Sequence, residues 1–189
     1  MMITKDVSMS KTIKAKKIPD RPTFYLDDEE TQPIRAGGVL LYRNNEGSID
    51  LLLVENRGYY EDLGGCTDTD DKDFYDTVAR ETEEESNKMI KYKSIHKRIR
   101  DAAYIYMERS KYIVFIVEAT ERESKLKQAD FGSKEIHDDF ERTIKWIPMD
   151  VFFGQDIIQH KLNFRLKNKK LFDKLKLINT DAKLSIRYI

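Results

Sequence analysis

Three glutamates, Glu81, Glu84 and Glu85, stand at spacings that put their carboxylates on one side of a helix, where residues three and four apart are neighbours. Like charges so placed repel, each pair costing a few tenths of a kcal/mol. A hard divalent cation removes that penalty and is held by this kind of oxygen ligand. Mg²⁺ is favoured where one or two carboxylates and a phosphate complete its shell. The glutamates lie in residues 64–87, GGCTDTDDKDFYDTVARETEEESN, which open on the pair Gly64 and Gly65 and place Arg80 directly before Glu81.

This stretch resembles the Nudix box, the loop–helix signature of hydrolases that cleave a nucleoside diphosphate linked to another moiety. The family's glycine pair falls on Gly64 and Gly65, its Arg-Glu on Arg80 and Glu81, and its paired glutamates on Glu84 and Glu85. The resemblance implies a Nudix fold of class α/β, a mixed β-sheet sandwiched between helices. It also implies Mg²⁺ or Mn²⁺ held by Glu81, Glu84 and Glu85 with the Gly65 carbonyl, and it makes Arg80 the anchor of a glutamate. Which glutamate acts as base differs among relatives. The pattern departs in places. Gly65 stands fifteen positions before Arg80, one more than usual, so the loop carries an extra residue. The early acid counts back onto Lys72, with Asp70, Asp71 and Asp73 around it; Thr82 replaces an aliphatic residue, and Asn87 stands where a glycine closes the helix. Asn is the next best residue at such a left-handed turn.

Under this resemblance the reaction class follows from charge. A diphosphate repels hydroxide, and metals lower that barrier by neutralising its oxygens, acidifying a bound water and holding the attack in line. The expected activity is cleavage of a phosphoanhydride bond in a dinucleoside polyphosphate, inositol pyrophosphate, nucleotide sugar or mRNA cap. Arg35, Arg57, Tyr60 and Tyr104 are the candidates for substrate contacts. Tyrosines at 104 and 106, following the box, resemble the branch acting on dinucleoside polyphosphates. The alternative is a Nudix-fold domain that binds nucleotide or RNA without cleaving it. The composition, rich in Lys, Ile, Asp and Asn, resembles Nudix proteins of large DNA viruses.

The elements that must position these residues are legible in the periodicity. Residues 36–42 and 49–54 are short apolar runs rich in strand formers around the turn cluster 44–48, which predicts a hairpin with Arg35 and Arg57 near opposite ends of neighbouring strands. A helix follows from about Lys72 or Asp73 to Asn87, with Phe74, Val78, Ala79 and Thr82 turned to the core. After a basic stretch over 91–100, residues 101–107 and 111–118 read as two more strands, and 144–148 as another. Helices are expected over 149–159 and around 162–178, the latter with Leu171, Phe172, Leu175 and Ile178 on one side. Residues 22–33 admit one short strand. The polar insert 121–143 offers Glu135, His137, Asp138 and Asp139 as a second-loop base, and Trp146 reads as core.

At 189 residues the chain suits one domain, 23–189, preceded by a basic arm over 1–22 that carries Lys5, Lys11, Lys14, Lys16 and Lys17. Net charge is zero, 34 basic against 34 acidic residues, so bulk charge selects no partner, but its distribution is uneven. Eleven acids lie between positions 61 and 85 against Lys72 and Arg80, while 161–176 holds seven basic residues against Asp173. The acidic pole reads as a metal site; the basic one is either an anion surface, which with the arm would suit RNA, or a solvated helix face. The single Cys66 excludes an internal disulfide framework. With no membrane-length apolar run and no signal-peptide core, the expectation is a cytoplasmic protein of unspecified oligomeric state.

Overall fold

The computed structural model describes residues 21–134 and 141–186. The N-terminal lysines, and the loop candidates Glu135, His137, Asp138 and Asp139, lie outside the described residues. Two strands, β1 (Phe24–Tyr25) and β2 (Pro33–Ile34), form a small antiparallel pair where one strand was expected. The main hairpin is β3 (Ala36–Asn45) and β4 (Ser48–Asn56), turned by Glu46 and Gly47, both at positive φ, the geometry that matches strand twist in two-residue hairpins. Then come β5 (Tyr59–Glu61), β6 (Leu63–Cys66), helix α1 (Phe74–Glu85) and helix α2 (Tyr92–Arg98). Strands β7 (Ala103–Met107) and β8 (Tyr112–Glu118) match their prediction. A short helix α3 (Glu121–Ser124) precedes β9 (Arg142–Pro148), and α4 (Met149–Phe152) and α5 (Lys169–Ile186) complete the order.

The seven-stranded sheet runs β5-β4-β3-β8-β7, with β6 added to β3 and β9 to β4. It is mixed, because β8 joins β3 in parallel while the other pairs are antiparallel. Alternating residues of β3, β4 and β8 feed two cores. Val39, Leu41, Ile113 and Phe115 meet Val78 and Ala79 of α1 and Ile95 of α2; Leu40, Leu51, Leu53 and Val114 meet Phe152 of α4 and Leu171 and Leu175 of α5. Each fully buried aliphatic or Phe side chain contributes about 1.5–3 kcal/mol, so both helical layers are held chiefly by burial. The fold class is α/β, a mixed sheet between helical layers, as expected. Among the described residues no helix is long and apolar enough to cross a membrane.

Partway along β3 the partner changes. Residues 41–45 pair with β4, whereas Ala36–Val39 pair with Leu63–Cys66 of β6. The glycine pair is therefore a strand inside the sheet. This corrects the expected placement of the two arginines. Arg35 precedes β3 and Arg57 follows β4, so both stand at the open end of the hairpin, with β5 and β6 entering between them.

Three other expectations change. The basic stretch 91–100 contains α2, seated by Ile90, Ile95 and Ile99, each fully buried. The helix expected over 149–159 is interrupted after Phe152: Phe153 caps α4, Gly154 turns back to the Val151 carbonyl (2.9 Å), and the chain resumes as a π-helical turn, Asp156–Lys161. The last helix begins at Lys169 because the Asn168 side chain accepts from the Lys170 and Leu171 N–H groups (2.9 and 3.3 Å), an N-cap that leaves 162–168 outside it.

Candidate active site

Asp73 caps α1 by accepting from the Asp76 N–H at 2.8 Å. The bend before it is organised by Asp71, whose side chain is 3% exposed. One Asp71 oxygen accepts from the Asp68 N–H (2.8 Å) and the Thr77 hydroxyl (2.7 Å), and both accept from Arg80, Nε at 2.9 Å and Nη2 at 3.0 Å. The remaining guanidinium donors go to the Cys66 carbonyl (2.9 Å), Glu81 (2.9 Å) and Glu84 (3.2 Å). Arg80 thus clamps loop, strand and helix together with the fork geometry that suits paired carboxylates. Burial works against its charge, but the Asp71 hydrogen bonds and the Glu81 charge outweigh it and push its pKa above the usual arginine value.

The helix faces β6 across the glycine pair. A Cβ at Gly65 would lie 2.3 Å from the Glu81 carboxylate, so the absence of a side chain is what lets that carboxylate seat against the strand. The Gly64 N–H donates to Glu85 Oε2 at 3.2 Å, and Arg142 donates to the Glu85 backbone carbonyl. On the opposite side Thr82, fully buried, returns its hydroxyl to the Val78 carbonyl at 2.7 Å, which is how a polar residue occupies the aliphatic seat. Past the helix, Asn87 adopts φ 51° and donates to the carbonyls of Phe131 and, at 2.7 Å, Lys134.

Beneath the glycine strand lies a second polar group. Asp62 is 1% exposed; its Oδ2 accepts from the Tyr112 hydroxyl at 2.5 Å, and its Oδ1 has no hydrogen-bond partner among the described residues. Burial raises the Asp62 pKa, with Arg165 opposing, and raises that of Tyr112 further above the tyrosine range. The Arg165 guanidinium stacks 4.9 Å from the Tyr112 ring centroid and donates to Glu61 at 2.8 Å. A Cβ at Gly64 would meet the Tyr112 oxygen at 2.4 Å, so only a glycine backbone separates this group from Glu85.

The structure thus brings Gly65, Arg80, Glu81, Glu84 and Glu85 together. It places the other four candidates on separate elements. Arg35 is exposed and donates to the Arg21 carbonyl (3.3 Å); Arg57 occupies the β4–β5 turn at φ 50°. Tyr60 is 8% exposed in the core, with Lys145 Nζ 5.4 Å from its ring centroid, and Tyr104 is 47% exposed on β7, its ring 5.9 Å from that of Phe115. Trp146 is half-buried under Arg43 and donates to the Leu126 carbonyl at 3.0 Å. Sequence reasoning missed Asp71, Asp62, Tyr112 and Arg165. Asp71 was one of three neighbouring acids, and nothing in the spacing singles it out. The others meet only through the tertiary fold.

Three carboxylates and a strand carbonyl are the all-oxygen donor set that a hard cation such as Mg²⁺ or Mn²⁺ takes, and the space a Cβ would fill at Gly65 is occupied by the Glu81 carboxylate, which brings that ligand group against the strand. Arg80 Nη1 stands between Glu81 and Glu84. The one trio of His, Cys, Asp and Glu groups among the described residues with all ligand atoms within 4.8 Å is elsewhere, Asp73, Asp76 and His96 at the start of α1. That trio is internally satisfied. His96 pairs with Asp76 (3.1 Å), and the Tyr92 hydroxyl donates to Asp76 (2.5 Å), with burial and then Asp76 pushing the Tyr92 pKa up to about 12.

The class that fold and site define is a mixed α/β sheet carrying a glycine strand against an acidic helix. No protein-family model matches the chain, and no curated protein sequence matches it. Among solved structures it is similar to a C. elegans Ap4A hydrolase in a binary complex, with 16% identity over 78% of this chain and 98% of that one and a TM-score of 0.44. It is also similar to the NUDIX domain of Shewanella oneidensis NrtR complexed with ADP ribose, at 16% identity, 77% and 88% coverage and a TM-score of 0.47. A third is a bifunctional NMN adenylyltransferase/ADP ribose pyrophosphatase from Francisella tularensis complexed with AMP and a Mn ion, at 16% identity, 87% and 43% coverage and a TM-score of 0.42. Identity this low leaves function to be read from this chain's own residues.

Proposed function

We propose that the protein is a Nudix-type, divalent-metal-dependent pyrophosphohydrolase cleaving a phosphoanhydride bond in a nucleoside diphosphate linked to another moiety. The observation that supports it is the packing of Glu81 and Glu85 against the Gly64–Gly65 strand, with Arg80 joining Glu81 to Glu84. Glu81, Glu84 and Glu85, with the Gly65 carbonyl, would hold Mg²⁺ or Mn²⁺, which when bound neutralises phosphate oxygens and makes water a nucleophile at neutral pH. Arg80 orients Glu81 and Glu84 and, through Asp71, fixes the helix against the loop. Glu84 and Glu85 would be the chief ligands, and Glu81 would serve either as a further ligand or as the base that accepts the proton of the attacking water. The substrate is drawn from dinucleoside polyphosphates, nucleotide sugars and mRNA caps, or from inositol pyrophosphates, which carry the same phosphoanhydride bond without a nucleoside.

The test is turnover of a panel of these diphosphates with Mg²⁺ or Mn²⁺ by the full chain, and by Glu84→Gln and Glu85→Gln. Loss of activity by at least about a hundredfold in both variants is expected, as for removal of groups that stabilise transition-state charge. A second reading, a module that binds nucleotide or RNA without cleaving it, is favoured by the Arg80 guanidinium, which already lies between Glu81 and Glu84 as their cation. Tight binding without turnover of any diphosphate selects it.

A further inference from the structure

The basic stretch 161–176 does not fold as one helical face. Its first part forms a loop that walls a cavity of about 360 Å³ against the β7–β8 turn, lined by Met107, Arg109, Phe164, Arg165 and Lys167 among others. That volume is at the small end for ligand sites, enough for one mononucleotide unit. Arg109 is exposed and makes no hydrogen bond or ion pair among the described residues. Lys167 Nζ donates to the Gln159 carbonyl at 2.9 Å and has no carboxylate partner among the described residues. Phe164, 74% exposed, is the most exposed large apolar side chain among the described residues. A lone exposed Phe needs no explanation by itself. This one sits on a pinned loop: the Asn163 N–H donates to the Tyr60 carbonyl (3.0 Å), its amide to Glu61 (3.1 Å), and its side chain accepts from the Arg165 N–H (3.0 Å). An aromatic face and two cations without a carboxylate partner around one cavity are the recognition elements for a heterocycle carrying phosphate.

The cavity also adjoins the candidate active site. Arg165 lines it and stacks on Tyr112, Tyr112 donates to Asp62 under Gly64, and Gly64 donates to Glu85. Two buried side chains, Tyr112 and Asp62, and the Gly64 backbone therefore link Arg165 of the cavity wall to Glu85 of the acidic helix.

We propose that this cavity seats a nucleoside monophosphate unit of the substrate, its base stacked on Phe164 and its phosphate held by Arg109 and Lys167. The choice of a nucleotide as occupant rests on the hydrolase reading above; the cations and the exposed ring stand independently of it. The experiment is calorimetric titration of the full chain, in EDTA, with AMP, GMP and inorganic phosphate. Phe164→Ala and Arg109→Ala are tested beside the wild type, with melting curves confirming that both fold. Phe164→Ala is expected to weaken AMP and GMP about tenfold and leave phosphate unchanged, and Arg109→Ala to weaken all three about tenfold, each equivalent to one stacking or charged contact. Changes below about twofold for AMP in both variants, or no binding of either nucleotide, overturn the proposal. Glu85→Gln separates the two readings. If it abolishes diphosphate turnover while Phe164→Ala and Arg109→Ala leave AMP binding unmoved, the seat fails and the hydrolase stands. If AMP binding follows the prediction and no diphosphate is turned over, the seat stands and the hydrolase fails.

Discussion

Arg80→Ala tests the organisation of the acidic helix most directly. The substitution deletes five hydrogen bonds, two to Asp71 and one each to Cys66, Glu81 and Glu84. Asp71, 3% exposed, loses its only cation among these contacts, and breaking a buried pair from one side costs about 3–5 kcal/mol. The Arg80 side chain is 24% exposed, so water re-solvates part of the gap and the lower end applies, about 3 kcal/mol. For a domain of this size that lowers the melting midpoint by roughly 6–12 °C. Arg80→Lys keeps a point charge without the planar fork and is expected to lose about half as much. Without the guanidinium, Glu81 and Glu84 face each other uncompensated, so millimolar Mg²⁺ or Mn²⁺ should raise the midpoint of Arg80→Ala by more than it raises the wild type, as a ligand of the folded state does. Differential scanning calorimetry with and without metal measures both effects. A variant melting within about 2 °C of wild type refutes the hub. An equal metal-induced shift in wild type and Glu84→Gln/Glu85→Gln refutes the cation assignment.

The two glycines separate fold from chemistry. At Gly64 a Cβ would lie 2.5 Å from the Gly37 carbonyl oxygen and the Gly38 Cα, both backbone, so Gly64→Ala should cost about 3 kcal/mol by denaturant titration. At Gly65 it would meet the movable end of Glu81, so Gly65→Ala should stay within about 1 kcal/mol of wild type yet lose at least about tenfold in kcat/KM, through misplacement of that carboxylate. Similar stability losses in the two would contradict this division. Asp62 gives a pH signature. Its folded pKa is raised by burial, so the unfolded chain releases the proton first, and stability falls as pH climbs from about 4 through the folded value. Asp62→Asn, which keeps an acceptor for the Tyr112 hydroxyl, should gain on wild type across that range in EDTA; a constant gap between pH 4 and 8 would falsify the assignment.

What the sequence revealed was what local periodicity encodes. The β3–β4 hairpin, α1 with its buried Phe74, Val78 and Ala79, and the one-sided glutamates all follow from spacings of two or of three and four, and the structure places them so. The lysines around Ile95 hid α2, although Ile90, Ile95 and Ile99 carried the signal at intervals of five and four. The break at Gly154 and the Asn168 cap were likewise present as residue types, but the apolar pattern around them suggested longer helices. Asp71 is nine positions from Arg80, outside any helical repeat, and became identifiable only when the loop folded back. Arg165 lies 104 residues from the Glu61 it pairs with, a distance no pattern spans. The interleaving of β6 between β3 and the far end of β4 is of the same kind, a tertiary choice that set a strand between Arg35 and Arg57 at the open end of the hairpin.

Because Gly64 and Gly65 are rungs of a ladder whose other rail, β3, is also bonded to β8, neither can shift without unzipping strands on both sides. The backbone of this site is masonry, and whatever adjustment a reacting molecule demands must come from the reach of glutamate side chains. Such a framework tolerates new occupants only by changing the walls around it, so selectivity resides in the surrounding loops while the acidic row stays put.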